Sequence, residues 1–227
     1  MPFTLPDIGD CIIIAGNPRS GKTQFAKWLF KTWGQHFGNQ LVFQVDRDVQ
    51  RGKDPARPWE DYCEAVIPWK EASPKNILDC LRAYRSVCVN AYDCEMGKTM
   101  NAVWGNVCMA ASSRGNTLVV NDEIARVSNV RYLHPYHYLL VTGKGSKRHC
   151  SMVQATQTPQ TCSVVLRDNA AHQVYFRLDE RVVHGYLDSF LDRAEEVLSL
   201  PPYWSLHKTN SQGGRSYTEK LKPCPLV

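Results

Sequence analysis

The order of apolar and helix-like segments is the strongest constraint on what this chain can fold into. Short apolar runs, each long enough for one strand, alternate with segments whose apolar residues recur every three or four positions. Because parallel strands need helical crossovers, this alternation predicts an α/β fold with a mostly parallel sheet and helices on both faces. The runs predicted as strands are CIIIAG, QLVFQVD, VCVNAYD, NTLVVNDE, CSMVQATQ and HQVYFRL.

The helical segments differ in length and in clarity. GKTQFAKWLFKTWGQHF places Phe25, Leu29 and Trp33 on one face, and ERVVHGYLDSFLDRAEEVLSL is predicted as one long amphipathic helix. EAVIPW is too short to assign. After two consecutive prolines the chain becomes polar and basic, so we predict one domain over 1–200 and a tail over 201–227. The helix-borne aromatic residues are predicted to be core rather than base-stacking platforms: Trp28, Trp33, Trp104 and Tyr84.

Composition narrows the class of protein. Of the 227 residues, 43% are hydrophobic and 22% are charged, which is typical of a globular domain. No apolar run approaches the roughly 18 residues of a membrane span, and the N-terminus MPFTLPDIGD lacks the features of a secretory signal. We therefore expect a chain that is not secreted and has no transmembrane segment of its own. The net charge of +5 permits an anionic partner without requiring one.

The cysteines favour a reducing compartment. There are nine, at irregular spacing and with no C-x-x-C pair, which predicts reduced and mostly buried thiols. A zinc site can be drawn from neighbouring histidines and cysteines, but their spacings match no standard pattern. The residues concerned are His134, His137, His149, Cys150 and Cys162.

The segment GNPRSGKT follows the first predicted strand and precedes a predicted helix. It fits the phosphate-loop pattern G-x-x-x-x-G-K-[ST], in which glycines let backbone N–H groups surround phosphates and the helix directs its positive end at them. We expect Lys22 to reach the β- and γ-phosphate oxygens of ATP and the Thr23 hydroxyl to bind Mg²⁺. The predicted nucleotide-binding residues are Gly16, Asn17, Pro18, Arg19, Ser20, Gly21, Lys22, Thr23 and Gln24.

Two strand ends supply the second half of the predicted site. TLVVNDE places Asp122 and Glu123 directly after an apolar strand, where one acid can hold Mg²⁺ and the other can take a proton from an attacking water. Asn121 interrupts the apolar run just before them. SMVQATQTP places Gln157 at the end of the next strand, where an amide can sense the γ-phosphate or orient the water. The chain has no N-K-x-D segment, which argues against a GTPase.

These motifs together resemble the FtsK/HerA superfamily of DNA-pumping ATPases. The resemblance rests on GNPRSGKT, LVVNDE and the block GKGSKRHCSMVQATQTPQTCSVVLRDNAAHQVYFRL, and it covers most of 10–195. It implies a RecA-like (ASCE) P-loop NTPase fold. The compact form, with no separate membrane or regulatory domain, is similar to the genome-packaging ATPases of membrane-containing icosahedral viruses.

The resemblance also implies partners and a location. These are a homo-oligomeric ring, a pentamer or hexamer, that threads double-stranded DNA without reading its sequence, and a capsid vertex or viral membrane protein on which the ring sits. The chain would act in the host cytoplasm and in the virion. Arg19 resembles an arginine that touches the γ-phosphate from the same subunit, and a neighbouring subunit would supply another. The candidates for that role are Arg148, Arg126, Arg167 and Arg177.

Several alternatives stay open at the level of sequence. Other ATPases of the same superfamily, for conjugation, plasmid mobilisation or filamentous-phage assembly, share the motifs. A small-molecule P-loop kinase would fit the length, with SKRHC as its lid. A nucleotide-binding structural protein conflicts with the intact acid pair. The loops RDVQRGKDPARP and YDCEMGK are candidates for DNA contact, although either could be an ordinary surface loop.

Overall fold

A computed structural model describes residues 3–45, 58–142, 149–210 and 216–221, with side chains throughout except at 216–219. Within these residues nine strands form a single sheet. The strands are Cys11–Ala15 (β1), Asn39–Gln44 (β2), Ala65–Pro68 (β3), Ser86–Asn90 (β4), Thr117–Asn121 (β5), Ser151–Thr156 (β6), His172–Phe176 (β7), Ser205–Asn210 (β8) and Ser216–Leu221 (β9). The helices are Lys22–Thr32 (α1), Pro74–Ala83 (α2), Lys98–Arg114 (α3), Pro135–Val141 (α4), Val164–Asn169 (α5) and Glu180–Gly185 (α6).

The strand order places the two predicted halves of the site on neighbouring strands. The sheet runs β3-β4-β2-β5-β6-β1-β7-β8-β9, and the pairings from β3 through β7 are all parallel. Strand β6 therefore lies between β5, which precedes the acid pair, and β1, which precedes the phosphate loop. This is the mostly parallel α/β sheet that the sequence predicts.

The central strands are buried on both faces, as parallel strands between helices must be. Ile12 and Ile14 of β1 pack with the predicted α1 face of Phe25 and Leu29, and Trp33 completes that face. Side chains of opposite parity pack into a second cluster with α2, α3 and α4. The second cluster includes Ile13, Phe43, Ile77, Trp104 and Leu140. Helices thus cover both faces of the sheet.

One of the four aromatic residues predicted as core is exposed. Trp33 and Trp104 are fully buried and Trp28 is partly buried against the first cluster. Tyr84 is 45% exposed, because it is the extended residue that follows the last turn of α2 and no longer shares the buried face of that helix.

The long helix predicted near the C-terminus is interrupted. Helix α6 ends at Gly185, and two short 3₁₀ turns follow, Leu187–Ser189 and Ala194–Ser199. The backbone leaves the helical region at Tyr186 (φ −139°) and is left-handed at Arg193 (φ +65°). The amphipathic pattern survives because the apolar side chains of these short turns still pack into one cluster with α6.

The segment predicted as a polar tail contributes two strands instead. Strand β8 pairs antiparallel with β7, and β9 pairs antiparallel with β8, which extends the sheet. Leu206 and His207 are buried, whereas the remaining side chains of β8 beyond them are partly exposed. An edge hairpin is held mainly by main-chain hydrogen bonds, so its polar sequence does not show an apolar strand pattern.

The described cysteines are free thiols, and six of the eight are buried. No helix within the described ranges is long and apolar enough to cross a bilayer.

A buried imidazole joins α4 to the centre of the sheet. The Nε2 atom of His137 lies 2.8 Å from Oε1 of Gln154, whose Nε2 in turn donates to the sulfur of Cys11 at 3.0 Å. The ring packs edge-on against Trp104, with centroids 5.1 Å apart. Burial lowers the pKa of His137 to about 3, so the imidazole stays neutral in the folded protein at ordinary pH.

This imidazole gives folding a specific pH dependence. Between about pH 3 and 6.5 the unfolded chain binds a proton at His137 that the folded chain does not, so the free energy of unfolding falls as the pH is lowered. We expect His137→Gln to reduce the slope of that free energy by about 1.4 kcal/mol per pH unit between pH 4 and 6, measured by urea unfolding. Leu140→Ala, which removes buried surface from the same helix but no titrating group, should leave the slope unchanged. Equal slopes for His137→Gln and the unmodified chain would contradict the prediction.

Candidate functional site

The phosphate loop lies at the carboxyl end of β1, where its backbone is fixed from both neighbouring strands. The amide of Gly16 donates to the carbonyl of Thr156 at 3.2 Å, and the amide of Asn17 donates to the carbonyl of Arg177 at 2.9 Å. The Asn17 side chain donates to Asp179 Oδ1 at 2.8 Å. Because β6 and β7 hold the loop in this way, the first turn of α1 begins at a fixed position in the site.

Both glycines of the motif are required by close packing. A Cβ on Gly16 would come within 2.6 Å of Phe176 Cβ and of Ser20 Oγ. Gly21 has φ +115°, and a Cβ there would come within 2.9 Å of Tyr203 Cδ1 and 3.0 Å of Phe176 Cε1. Larger residues at these positions would displace the backbone N–H groups on which phosphate binding depends.

The loop residues fit the phosphates of a nucleoside triphosphate. Helix α1 starts after Gly21 with no side chain capping its amino end and no acidic residue in its first turn, so its amides and positive dipole suit an anion. The hydroxyl of Ser20 is buried within the loop and has no hydrogen-bond partner among the residues that the structure describes. Lys22 is 7% exposed and its Nζ donates to the Asn17 carbonyl at 3.0 Å, which holds the ammonium over the loop.

The other loop residues follow along the same segment. Thr23 and Gln24 occupy the first turn of α1 and are half-buried, Pro18 is exposed, and Arg19 is exposed with φ +62°. On the side of the loop, the Thr23 hydroxyl would hold Mg²⁺, since this cation prefers oxygen ligands such as hydroxyls and carboxylates. The role of Arg19 stays a prediction.

Asp122 is tied to the neighbouring strand. Its Oδ1 accepts a hydrogen bond from the amide of Val45, just after β2, at 2.9 Å. The side chain is half-buried at the same edge of the sheet as the phosphate loop. The carboxylate is thus oriented by the sheet itself, and its position fits the predicted Mg²⁺ role.

Glu123 is buried and its carboxylate is held by the adjacent strand end. The residue is 5% exposed. The Thr156 hydroxyl donates to Oε1 at 2.8 Å, and the Gln157 amide donates to Oε2 at 3.2 Å. The predicted general base and the end of β6, with the Gln157 that follows it, therefore form one unit across β5 and β6. The Gln157 side chain itself is exposed, at the position the sequence predicts.

Two residues of this unit were missed by the sequence interpretation. Asn121, which interrupts the apolar run, is fully buried, and its Oδ1 accepts a hydrogen bond from the amide of Glu123 at 3.0 Å. Thr156 Oγ1 both donates to Glu123 and accepts from the amide of Thr158 at 3.1 Å. For Asn121 the available signal was a polar residue that ends an apolar run, whereas Thr156 follows Ser151 and Gln154 in the same strand and gives no such signal.

Cys162 lies beside this unit as a neutral thiol. Its sulfur is 3.9 Å from Thr156 Oγ1. Burial raises the pKa of Cys162 to about 12; the hydrogen bond with Thr156 opposes this rise, and the nearby Glu123 carboxylate adds to it. The His137 imidazole is hydrogen-bonded to the Gln154 side chain, and the Cys150 thiol donates a hydrogen bond to the Ala111 carbonyl. Within the described ranges, these residues do not assemble into a zinc site.

Two of the arginines that are candidates for acting on a neighbouring subunit are at the surface. Arg126 follows Glu123 by three residues, is exposed, and its Nη1 lies 3.0 Å from Met96 Sδ. Arg177 is exposed and adjoins the phosphate loop through its backbone carbonyl. Their action on a neighbouring subunit stays a prediction.

Arg167 is already engaged within its own subunit. Its Nε lies 2.7 Å from Asp168 Oδ1, and its guanidinium carbon is 4.8 Å from the centre of the Phe190 ring. Arg148 lies outside the described residues, as does 47–57 of the basic loop predicted for DNA contact. The other candidate loop, 92–98, follows β4 at the same edge of the sheet as the site and exposes Lys98.

Comparison with known proteins gives structural matches only. No protein-family model matches the chain, and no curated protein does. The genome packaging NTPase B204 from Sulfolobus turreted icosahedral virus 2, in complex with sulfate, aligns with a TM-score of 0.74 at 14% identity, over 98% of this chain and 100% of B204. B204 from Sulfolobus turreted icosahedral virus, described as a DNA-packaging ATPase, aligns with a TM-score of 0.70 at 16% identity, over 96% and 98%. VirB4 of Thermoanaerobacter pseudethanolicus aligns with a TM-score of 0.62 at 12% identity, over 97% and 93%.

These matches cover nearly the whole of each chain, so they concern the architecture and not one shared motif. The fold of this chain is the P-loop NTPase fold of B204 and VirB4, and the predicted resemblance is confirmed at the level of the fold.

Proposed function

We propose that this chain is an ATPase that couples ATP hydrolysis to the translocation of double-stranded DNA during viral genome packaging. The observation that supports it best is the joined unit of acid pair and strand end beside the phosphate loop. Glu123 is fixed by Thr156 and the Gln157 amide, two strands away from Lys22. A buried, oriented carboxylate next to a phosphate loop suits activation of water for hydrolysis.

Each residue of the site has a proposed role in that reaction. The loop amides and Lys22 bind the phosphates, and Lys22 stabilises the charge that develops on the transferred phosphoryl group. Glu123 accepts the proton of the attacking water, and the side-chain amide of Gln157 orients that water. Thr23 and Asp122 would hold Mg²⁺, which when bound neutralises phosphate charge. Arg19 would touch the γ-phosphate from within the subunit.

The coupling to DNA rests on likeness to packaging proteins. Structures of B204 from Sulfolobus turreted icosahedral virus 2 are described in complex with ATP-gammaS and with AMPPCP, which is consistent with an ATP site in this fold. By the same likeness we propose a homo-oligomeric ring, a pentamer or hexamer, in which Arg126, Arg177 or Arg148 of one subunit completes the site of the next. The ring would act in the host cytoplasm and at the packaging vertex of the virion, on a capsid or viral membrane protein.

The second candidate is another DNA-transfer ATPase of the same superfamily. The likeness to VirB4 over 97% of this chain favours it. A small-molecule kinase is supported less well, since the structural matches are to B204 and VirB4, and most of SKRHC, its proposed lid, lies outside the described residues. Subunit stoichiometry in the presence of a non-hydrolysable ATP analogue, with and without duplex DNA, tests the ring.

The proposed base should be separable from the binding of ATP. We expect Glu123→Gln to lower the rate of ATP hydrolysis by a factor of about 10²–10⁴, because the amide cannot accept the proton, while the Kd for ATP stays within about threefold. Lys22→Ala should weaken ATP binding as well, because it removes a phosphate contact. Exposed Glu71→Gln is the matched control. A Glu123→Gln chain that hydrolyses ATP at the full rate would refute the assignment.

Thr156 should act as a positioning residue for Glu123. Thr156→Val keeps the side-chain shape but removes the hydroxyl that donates to Glu123 Oε1. We expect kcat to fall about tenfold to a hundredfold with little change in KM, because the base is misplaced while ATP contacts remain. Thr156→Ser retains a hydroxyl and should restore most of the rate. If Val and Ser behave alike, the hydrogen bond has no role in turnover.

DNA should stimulate the ATPase without regard to sequence. We expect duplexes of unrelated sequence to raise the hydrolysis rate equally, and the stimulation to decline steeply between about 50 and 200 mM salt, because phosphate contacts release counterions. Steady-state ADP release measures the effect. Transfer of phosphate to a nucleoside or nucleotide, with no response to duplex, would instead support the kinase.

A further inference from the structure

Tyr203 lies directly against the phosphate loop, on a segment that neither the motifs nor the proposed catalytic roles include. Its amide donates to the carbonyl of Ser20 at 3.0 Å. Its ring edge is close enough to Gly21 that a Cβ on that glycine would meet Cδ1 at 2.9 Å. Gly21 thus packs between the Tyr203 ring and the buried Phe176 ring, which would lie 3.0 Å from the same Cβ.

The position of Tyr203 relative to the strands of the sheet determines which part of a bound nucleotide it can contact. The acid pair follows β5, Gln157 follows β6 and the phosphate loop follows β1, whereas Tyr203 precedes β8, on the other side of β1. The terminal phosphate must point toward the acids for hydrolysis. The nucleoside end of a bound nucleotide must therefore leave the loop on the opposite side, where Tyr203 lies.

The side chain combines a fixed backbone with an open aromatic surface. The Trp204 amide closes a turn onto the Pro201 carbonyl at 3.1 Å, and Trp204 packs against the cluster around Leu206. Tyr203 itself is left-handed, with φ +65°, a conformation that a non-glycine residue adopts only when its surroundings impose it. The residue nevertheless remains 45% exposed. An exposed aromatic ring on a fixed backbone is the kind of surface on which a base stacks.

We infer that Tyr203 forms one wall of the base-binding site of the nucleotide, with the base stacked on its ring. This rests on the proposed ATPase function and adds to it a residue that recognises the nucleoside and not the phosphates. Stacking reads the flat face common to all bases, so the contribution of Tyr203 is the same in kind for ATP and GTP.

The test compares a nucleotide with a ligand that has phosphates only. The dissociation constants of ATP, GTP and inorganic tripolyphosphate, each with Mg²⁺, are measured by calorimetry on the full chain and on Tyr203→Ala, Tyr203→Phe and Tyr138→Ala. Alanine at a left-handed position retains the backbone cost that tyrosine has there, so the substitution changes the ring and not the strain. Tyr138 is 44% exposed on α4 and provides the matched control.

We expect Tyr203→Ala to weaken ATP and GTP about tenfold, Tyr203→Phe to stay within about twofold, and tripolyphosphate to bind equally to all four chains. Unchanged ATP binding in Tyr203→Ala would overturn the inference. Parallel weakening of tripolyphosphate would also overturn it, because Tyr203 would then only shape the loop. Melting temperatures identify any variant that fails to fold, in which case Tyr203→Leu, bulky but not aromatic, takes its place and should bind ATP as weakly as alanine is expected to.

The base-binding role of Tyr203 and the proposed ATPase function can be refuted independently of each other. A chain that binds ATP through Tyr203 but does not hydrolyse it refutes the ATPase and leaves the base site. A chain that hydrolyses ATP with the same KM with and without the tyrosine ring refutes the base site alone. Binding of neither ATP nor tripolyphosphate by the unmodified chain refutes both.

Discussion

The parallel pairing of β5, β6 and β1 is the constraint on which the rest of the site depends. Parallel strands end at the same edge of a sheet, so this pairing brings together three chain segments that are far apart in sequence. The register is fixed by complete burial of both faces, since a slip by one residue would turn the apolar side chains of β1 toward the wrong cluster. The chemistry at the edge is therefore positioned by hydrophobic packing that takes no part in it.

Much of this arrangement can be predicted from the sequence because the signals are local or periodic. The phosphate loop is a continuous motif that follows one apolar run, and Asp122 and Glu123 directly follow another. Because parallel strands end at the same edge of a sheet, the loop and the acid pair are expected at that edge. The buried face of α1 follows from the spacing of Phe25, Leu29 and Trp33. In each case the residues that reveal the feature are close together in the chain.

The features that the sequence does not predict depend on contacts between distant segments. The bond between Thr156 and Glu123 joins residues 33 positions apart, and a threonine within a strand is ordinarily read as a strand former. The strands β8 and β9 are held by main-chain pairing, which polar side chains do not reveal. The break after Gly185 follows from backbone angles that an amphipathic pattern does not encode. The position of Tyr203 over the loop is visible only once β8 is known to exist.

The hydrogen bond from the Val45 amide ties the orientation of the Asp122 carboxylate to the end of β2. A carboxylate has two oxygens, so Asp122 can keep Oδ1 on the amide and still offer Oδ2 to a cation. Val45 also lies two residues before Arg47, where the basic stretch RDVQRGKDPARP begins. The proposed Mg²⁺ ligand is thus oriented by an amide that lies just ahead of a basic stretch, so a substitution that shifts Val45 should also turn the Asp122 carboxylate.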